Sequence, residues 1–345
     1  MTSLVDRLWY GKRRPLLFLA PFAWLYRYIA EARRRKAEKK RVSRLSAPVV
    51  VVGNITAGGT GKSPLTAWLV NEMLSAGWRP VILSRGYGGK ASDYPLLVTK
   101  DTLPALAGDE PVMLAQATGV PVVVDPDRCR GAEFALDQAL GDILISDDGL
   151  QHYRLPRDIE LAVFDGARGV GNGALIPVGP LREPVSRLNS VDFVVINGGS
   201  EAGSDGQRPE NGAADIEHPQ LYAMKLEPGQ LVNLKTGETR APASLLGKRV
   251  RAVAGIGNPD RFFNTLKGLG ARVTAVPFPD HHRFRPEDLG SDSDQVLVMT
   301  AKDAVKCRGF APDNAWVLHV EATLPQQLSD SVHAKLQACV RPSTS

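Results

Sequence analysis

Val49 to Val52 is an unbroken β-branched run that ends in Gly53-Asn54-Ile55-Thr56-Ala57-Gly58-Gly59-Thr60-Gly61-Lys62-Ser63. A strand, a glycine-rich turn and Gly-Lys-Ser opening a helical stretch from Pro64 to Leu74 follow one another as in a phosphate-binding loop. Glycines let successive backbone N–H groups converge on one anion, and the helix N-terminus adds a partial positive charge. Thr56, Ala57, Gly58, Gly59, Thr60, Gly61, Lys62 and Ser63 would form the cradle. Lys62 would reach the β- and γ-phosphates, and the Ser63 hydroxyl would hold Mg²⁺. The general pattern asks for glycine at position 56, where this chain has Thr56. The chain is therefore expected to handle a nucleotide.

Charge is unevenly distributed along the chain. Of 42 Lys and Arg and 37 Asp and Glu, residues 1–45 hold thirteen of the former and three of the latter. The net charge of +5 thus belongs to the N-terminus, and the rest of the chain is mildly acidic. Leu16 to Tyr26 is apolar and aromatic, with Pro21 inside it, and Arg33-Arg34-Arg35-Lys36 follows. Eleven apolar residues fall short of the roughly 20 needed to span a bilayer. Trp9, Trp24, Tyr26 and Tyr28 beside Lys and Arg suit a helix lying in a membrane interface, with its cations on anionic headgroups. A core helix followed by a solvated basic helix is the plainer alternative. No nucleic-acid-binding motif accompanies the basic stretch. The three cysteines, Cys129, Cys307 and Cys339, are widely spaced, which suits a reducing compartment and argues against zinc.

Apolar strand candidates alternate with helical stretches downstream. Strands are expected at Val49–Val52, Pro80–Leu83, Val120–Val124, Ile143–Ser146, Ile159–Phe164 and Phe193–Ile196, with helices at Leu65–Ala76, Glu110–Thr118 and Arg130–Leu140. This predicts an α/β fold of the P-loop type, a mainly parallel sheet with helices on both faces. Gly198 to Asp215 is polar and reads as a mobile loop or insertion. Leu221–Leu226 and Leu231–Thr239 read as a β-ribbon, and a second, smaller α/β lobe begins near Arg249. The expected division is 1–45 as a membrane-surface helical segment, 46–220 as the nucleotide-binding domain, 221–248 as the ribbon linker and 249–345 as the C-terminal lobe. Two such lobes would leave a cleft suited to catalysis.

Several further segments sit where the ligands of parallel sheets bind, past the strand ends. Asp147 or Asp148, after the strand Ile143–Ser146, is expected to complete the metal site begun by Ser63. Asp109 and Glu110 open a helix, either as a general base or as acids favouring its first turn. Arg85-Gly86-Tyr87-Gly88-Gly89 could offer an arginine and amides to phosphate, or simply turn the chain. Within Gly179-Pro180-Leu181-Arg182-Glu183-Pro184, Glu183 is a candidate for the Mg²⁺ shell and Arg182 for an anion. Asp280-His281-His282 suggests acid/base work or metal binding. Lys302 either holds nucleotide or lies on the surface.

Taken in order, these segments resemble the tetraacyldisaccharide 4′-kinases of lipid A assembly. The resemblance rests on Val52-Gly53-Asn54 through Gly61-Lys62-Ser63-Pro64, Arg85-Gly86-Tyr87-Gly88-Gly89, Gly108-Asp109-Glu110-Pro111, Asp147-Asp148-Gly149-Leu150-Gln151-His152, Gly179 to Pro184 and Asp280-His281-His282. It runs from the apolar, basic N-terminus to Lys302-Asp303-Ala304-Val305-Lys306, and Thr56 is usual in it. It implies ATP-dependent phosphorylation of the 4′-hydroxyl of an acylated disaccharide 1-phosphate lipid, giving lipid IVA, with Mg²⁺. It implies a peripheral or monotopic enzyme on the cytoplasmic face of the bacterial inner membrane, with no nucleic acid and no obligate protein partner. It makes Asp109 the catalytic base and His281 its support. Lys62 and Ser63 keep their roles, and Asp147 and Glu183 complete the metal shell. Closing of the lobes would bring His281 toward Asp109. A membrane-targeted regulatory ATPase is the rival reading, but such proteins place a lysine just before the paired glycines, where this chain has Ala57.

Overall fold

The structure is a computed structural model, and it describes residues 4–11, 17–40, 42, 44–198, 216–290 and 294–339. The expected loop at 198–215 lies, from residue 199 onward, outside the described residues. The chain divides into two compact units. The first comprises Met1–Arg85, Val120–Lys225 and Thr323–Ser345, and the second Gly86–Gly119 and Leu226–Ala322. Both units are discontinuous in sequence, where the linear reading expects contiguous segments.

The first unit is built on a parallel sheet. Its order is Leu221–Asn233 (first residues), Phe193–Asn197, Ile159–Asp165, Val49–Gly53, Ile143–Ser146, Pro80–Ser84 and Val122–Val124. Every residue of Val49–Gly53, Ile159–Asp165 and Pro80–Ser84 is buried. Successive side chains of a strand point to opposite faces, so both faces of this sheet are covered. That is why these strands read as continuous apolar runs. The helices Lys62–Ser75 and Arg128–Asp137 pack on it. The helix Gln326–Cys339, not expected from the sequence, belongs to this unit as well. It buries Leu328, Val332 and Leu336, its Ser329 hydroxyl bonds Glu72, and its Lys335 bonds Asp192.

The second unit has a parallel sheet in the order Arg272–Pro277, Arg249–Ala254, Val296–Thr300 and Ala315–Thr323. The expected ribbon is one continuous strand, Leu221–Asn233, whose Leu231 and Val232 pair antiparallel with Arg240 and Thr239. Pro228 and Gly229 do not break it. A Cβ at Gly229 would lie 2.9 Å from Glu321 Oε1, so the Glu321 side chain packs over this point of the strand. Gly86–Gly119 joins this unit through the helix Asp109–Thr118, which packs on the helix Ala301–Cys307.

Candidate active site: a phosphate loop and a carboxylate–imidazole pair

In the first unit, the strand Val49–Gly53 lies between Ile143–Ser146 and Ile159–Asp165, with Val51 level with Ser146. This register sets the glycine-rich turn beside Asp147 and Asp148. The turn takes left-handed backbone at Gly58 (φ 104°) and Gly61 (φ 102°), which L side chains rarely adopt. The helix then begins at Lys62. The turn is braced from several sides. The Asn54 side chain donates to Thr60 Oγ1 at 3.2 Å, and Asn197 Nδ2 donates to the Thr60 carbonyl at 3.0 Å. Ala57 N–H donates to Pro180 O at 2.8 Å, and Arg182 N–H to Ile55 O at 2.7 Å. Gly179 to Pro184 thus lies along the turn.

The two strand-end aspartates have different surroundings. Asp147 is buried; its Oδ1 accepts from the Thr66 hydroxyl at 3.0 Å, in the first turns of the helix that carries Ser63. Its carbonyl accepts from Arg128 Nη2 at 2.8 Å. Asp148 has left-handed backbone (φ 48°) and faces cations: Lys62 Nζ at 3.7 Å and Arg182 Nη1 at 3.4 Å from both carboxylate oxygens. Burial pushes the Asp148 carboxyl up, but Lys62 and Arg182 outweigh it and hold it below its ordinary value.

Glu183 is turned to a different network. Its carboxylate accepts from Gln151 Nε2 at 2.6 Å and from the Tyr153 hydroxyl, and pairs with Arg187 Nε at 3.5 Å. Gln151 Nε2 also donates to Asn54 O at 3.0 Å, linking this network to the turn. Among the described residues, no group of three or more His, Cys, Asp and Glu side chains could hold a metal ion by itself.

Burial, with Arg128 and Arg85 adding positive charge, pushes the His152 imidazole down to about 3. His152 is therefore neutral when folded, whereas the unfolded chain binds its proton below about 6.5. Between those values the unfolded state holds more protons, so stability falls as pH falls. His152→Gln is expected to flatten this loss by on the order of 1–2 kcal/mol at pH 4, allowing for solvent screening. Denaturant midpoints from pH 7 to pH 4 check it, and parallel curves for both proteins would contradict it.

The N-terminal helices also reach this site. The Tyr10 hydroxyl donates to Ala57 O at 3.2 Å, and the Tyr26 hydroxyl to Arg182 O at 3.1 Å. The helix Ala20–Lys39 has no buried residue, and Phe22, Trp24 and Tyr28 are 60%, 77% and 70% exposed. No described helix is long and apolar enough to cross a membrane.

In the second unit, Asp109 opens the helix Asp109–Thr118 directly after Gly108 (φ 92°). A Cβ at Gly108 would lie 2.6 Å from Tyr87 O. His281 Nδ1 lies 3.5 Å from Asp109 Oδ2, and the His281 ring stands 5.2 Å from that of Tyr87. Asp109 and His281 share one unit, so no closing of lobes is needed to bring them together. The reason is that Gly86–Gly119 packs with the later residues. His282 separates from its neighbour: it stacks on Phe278 at 4.4 Å and meets Asp288 Oδ2 at 3.0 Å.

Lys302 is half-buried between two carboxylates. Its Nζ is 3.1 Å from both Glu110 Oε1 and Asp280 Oδ1. Burial pulls its proton affinity down, and the two carboxylates more than restore it. Sequence reasoning did not single out Lys306, whose Nζ lies 3.9 Å from Asp109 Oδ2 and 2.8 Å from Asp303 Oδ1. Its i, i+3 spacing from Asp303 was the available signal.

A mainly parallel α/β sheet, a glycine-rich turn leading into Gly-Lys-Ser and a strand-end aspartate beside the following helix define a P-loop nucleotide-binding protein. The LpxK family model, tetraacyldisaccharide-1-P 4′-kinase, matches residues 15–337. The chain belongs to that family. It is 46% identical over 337 residues to a tetraacyldisaccharide 4′-kinase of Methylobacillus flagellatus, covering 96% of this chain and 95% of that one. It is 45% identical over 329 residues to that of Pseudomonas putida, covering 93% of each. A crystal structure of the "apo" form of LpxK from Aquifex aeolicus in complex with ATP superposes with a TM-score of 0.75 at 28% identity, covering 92% of this chain and 98% of that one.

Proposed function

We propose that this chain transfers the γ-phosphoryl group of ATP to the 4′-hydroxyl of a tetraacylated glucosamine disaccharide 1-phosphate, giving ADP and lipid IVA. The observation that carries this reading is the pairing of Asp109 with His281 at 3.5 Å in a chain whose phosphate loop is complete. A nucleotide-binding switch has no need of a carboxylate–imidazole pair, whereas transfer to a sugar hydroxyl needs a group to take its proton.

Asp109 accepts the hydroxyl proton as the oxygen attacks phosphorus and the bond to the β-phosphate oxygen breaks. His281 orients that carboxylate and shares the charge change when it becomes protonated. Loop amides from Thr56 to Gly61, with Lys62, stabilise negative charge on the transferring group. Ser63 and Asp147 would hold Mg²⁺, which supplies charge neutralisation across the β- and γ-phosphates. Glu183, with its oxygens already engaged by Gln151, Tyr153 and Arg187, braces the turn in this reading rather than joining the metal shell.

The lipid substrate explains the N-terminal segment. The exposed aromatic side chains of Ala20–Lys39 and the basic residues beyond them would rest in the headgroup layer. The enzyme would then act from the cytoplasmic face of the bacterial inner membrane, lying on the bilayer rather than crossing it. A Phe22→Ser, Trp24→Ser, Tyr28→Ser triple variant should bind anionic vesicles about tenfold or more weakly. Flotation with phosphatidylglycerol vesicles checks this, and undiminished flotation would remove the segment from membrane binding.

Label transfer from γ-labelled ATP to tetraacyldisaccharide 1-phosphate in detergent micelles tests the activity itself. Label at the 4′-position supports the assignment. Hydrolysis of ATP without labelled lipid would overturn it and favour a membrane-bound ATPase.

A further inference from the structure

We propose that Lys306 is a positioning residue for this reaction: its buried ammonium, clamped by Asp303, holds Asp109 as an oriented carboxylate ready to accept the hydroxyl proton. The inference rests on Asp109 being the base.

Lys306 is buried, with 9% of its side chain exposed. Its Nζ is 2.8 Å from Asp303 Oδ1, 3.9 Å from Asp109 Oδ2 and 4.9 Å from the centre of the Phe284 ring. A buried ammonium is costly unless compensated, so this arrangement has to be explained by what surrounds it. Asp303 is a fixed anchor. It is fully buried, and its Oδ2 accepts from Gly255 N–H at 2.9 Å and from the Thr300 hydroxyl at 2.7 Å. That leaves Oδ1 toward Lys306. The ammonium is thereby held from one side while Asp109 faces it from the other.

The surrounding charges are already assigned. Lys302 joins Glu110 to Asp280, and Asp280 also lies 3.9 Å from His281 Nε2. Burial, with Asp303 adding negative charge, pushes the Cys307 thiol up to about 12, so Cys307 is neutral. Arg308 is turned to Gln116. Among the described residues, the basic side chains within 4 Å of the Asp109 carboxylate are His281 and Lys306. His281 is partly exposed, whereas the Lys306 ammonium is buried and held in place by Asp303. A cation within about 4–6 Å of a carboxylate favours its ionised form.

The test is the pH dependence of kcat for label transfer in the full chain. Lys306→Met should move the acid limb upward by about one pH unit, with KM for ATP within about twofold of the parent value. Lys306→Arg, which keeps the charge, should leave the limb in place. A limb unmoved in folded Lys306→Met overturns the proposal, even if kcat falls. Should Lys306→Met fail to fold, the Arg variant decides, because a shifted limb there also overturns it. Asp109→Asn separates the two ideas. An acid limb that survives in that variant refutes Asp109 as base, whereas loss of turnover with an unmoved Lys306→Met limb refutes only the role of Lys306.

Discussion

Asp109→Asn is expected to lower turnover about 10²–10⁴-fold, the range over which a positioned general base contributes, while ATP binds almost as before. Asn keeps the size and can still receive a hydrogen bond, but it cannot take a proton. ATP affinity should persist because the phosphate loop belongs to the first compact unit and Asp109 to the second. Single-turnover label transfer and an equilibrium ATP isotherm measure the two quantities separately. His281→Ala should cost less, because the imidazole acts through the carboxylate 3.5 Å away. The double variant should be scarcely worse than Asp109→Asn alone, as for groups that act as a unit. Turnover near the parent rate in Asp109→Asn would remove this residue from the base role.

Lys62→Ala is expected to reduce transfer by about 10²–10³-fold or more, through loss of positive charge at the transferring group. Lys62→Arg should rescue poorly, since a planar guanidinium does not replace a compact ammonium at the mouth of a glycine turn. Folding should be little affected. The partner of Lys62 is Asp148 at 3.7 Å, a partly exposed carboxylate that also faces Arg182, and such pairs contribute little to stability. The thermal midpoint should therefore stay close to that of the parent chain. A Lys62→Ala protein that transfers phosphate normally would overturn the phosphate-loop assignment; one that melts much earlier would show that the loss is structural.

The sequence was most legible where local chemistry is self-contained. Val49–Gly53 and Ile143–Ser146 were read almost to the residue because strands covered on both faces must be apolar at every position. The helix Gln326–Cys339 was missed, since Leu328, Val332 and Leu336 make only a narrow stripe among polar residues. The ribbon reads from the sequence as two pieces because Pro228 and Gly229 ordinarily break strands, yet the backbone runs through them as one strand. His281 and His282 are adjacent, yet one meets Asp109 and the other packs among Phe278 and Phe284. Nothing in their order distinguishes them.

The chain by itself determined that a nucleotide phosphate is bound, because a strand, a glycine turn and Gly-Lys-Ser create an anion site from backbone amides and one helix end. It also determined the family, through six short segments in a set order. Tertiary structure alone decided which neighbours each carboxylate meets. Asp147 lies against the phosphate-loop helix, Asp148 faces Lys62 and Arg182, and Glu183 is drawn into the Gln151–Tyr153–Arg187 network. It likewise brought Asp109, His281 and Lys306 together from positions far apart in the chain. The physical reason is that a carboxylate's role follows from the charges and donors within a few ångströms, and those neighbours are assembled only when distant segments pack.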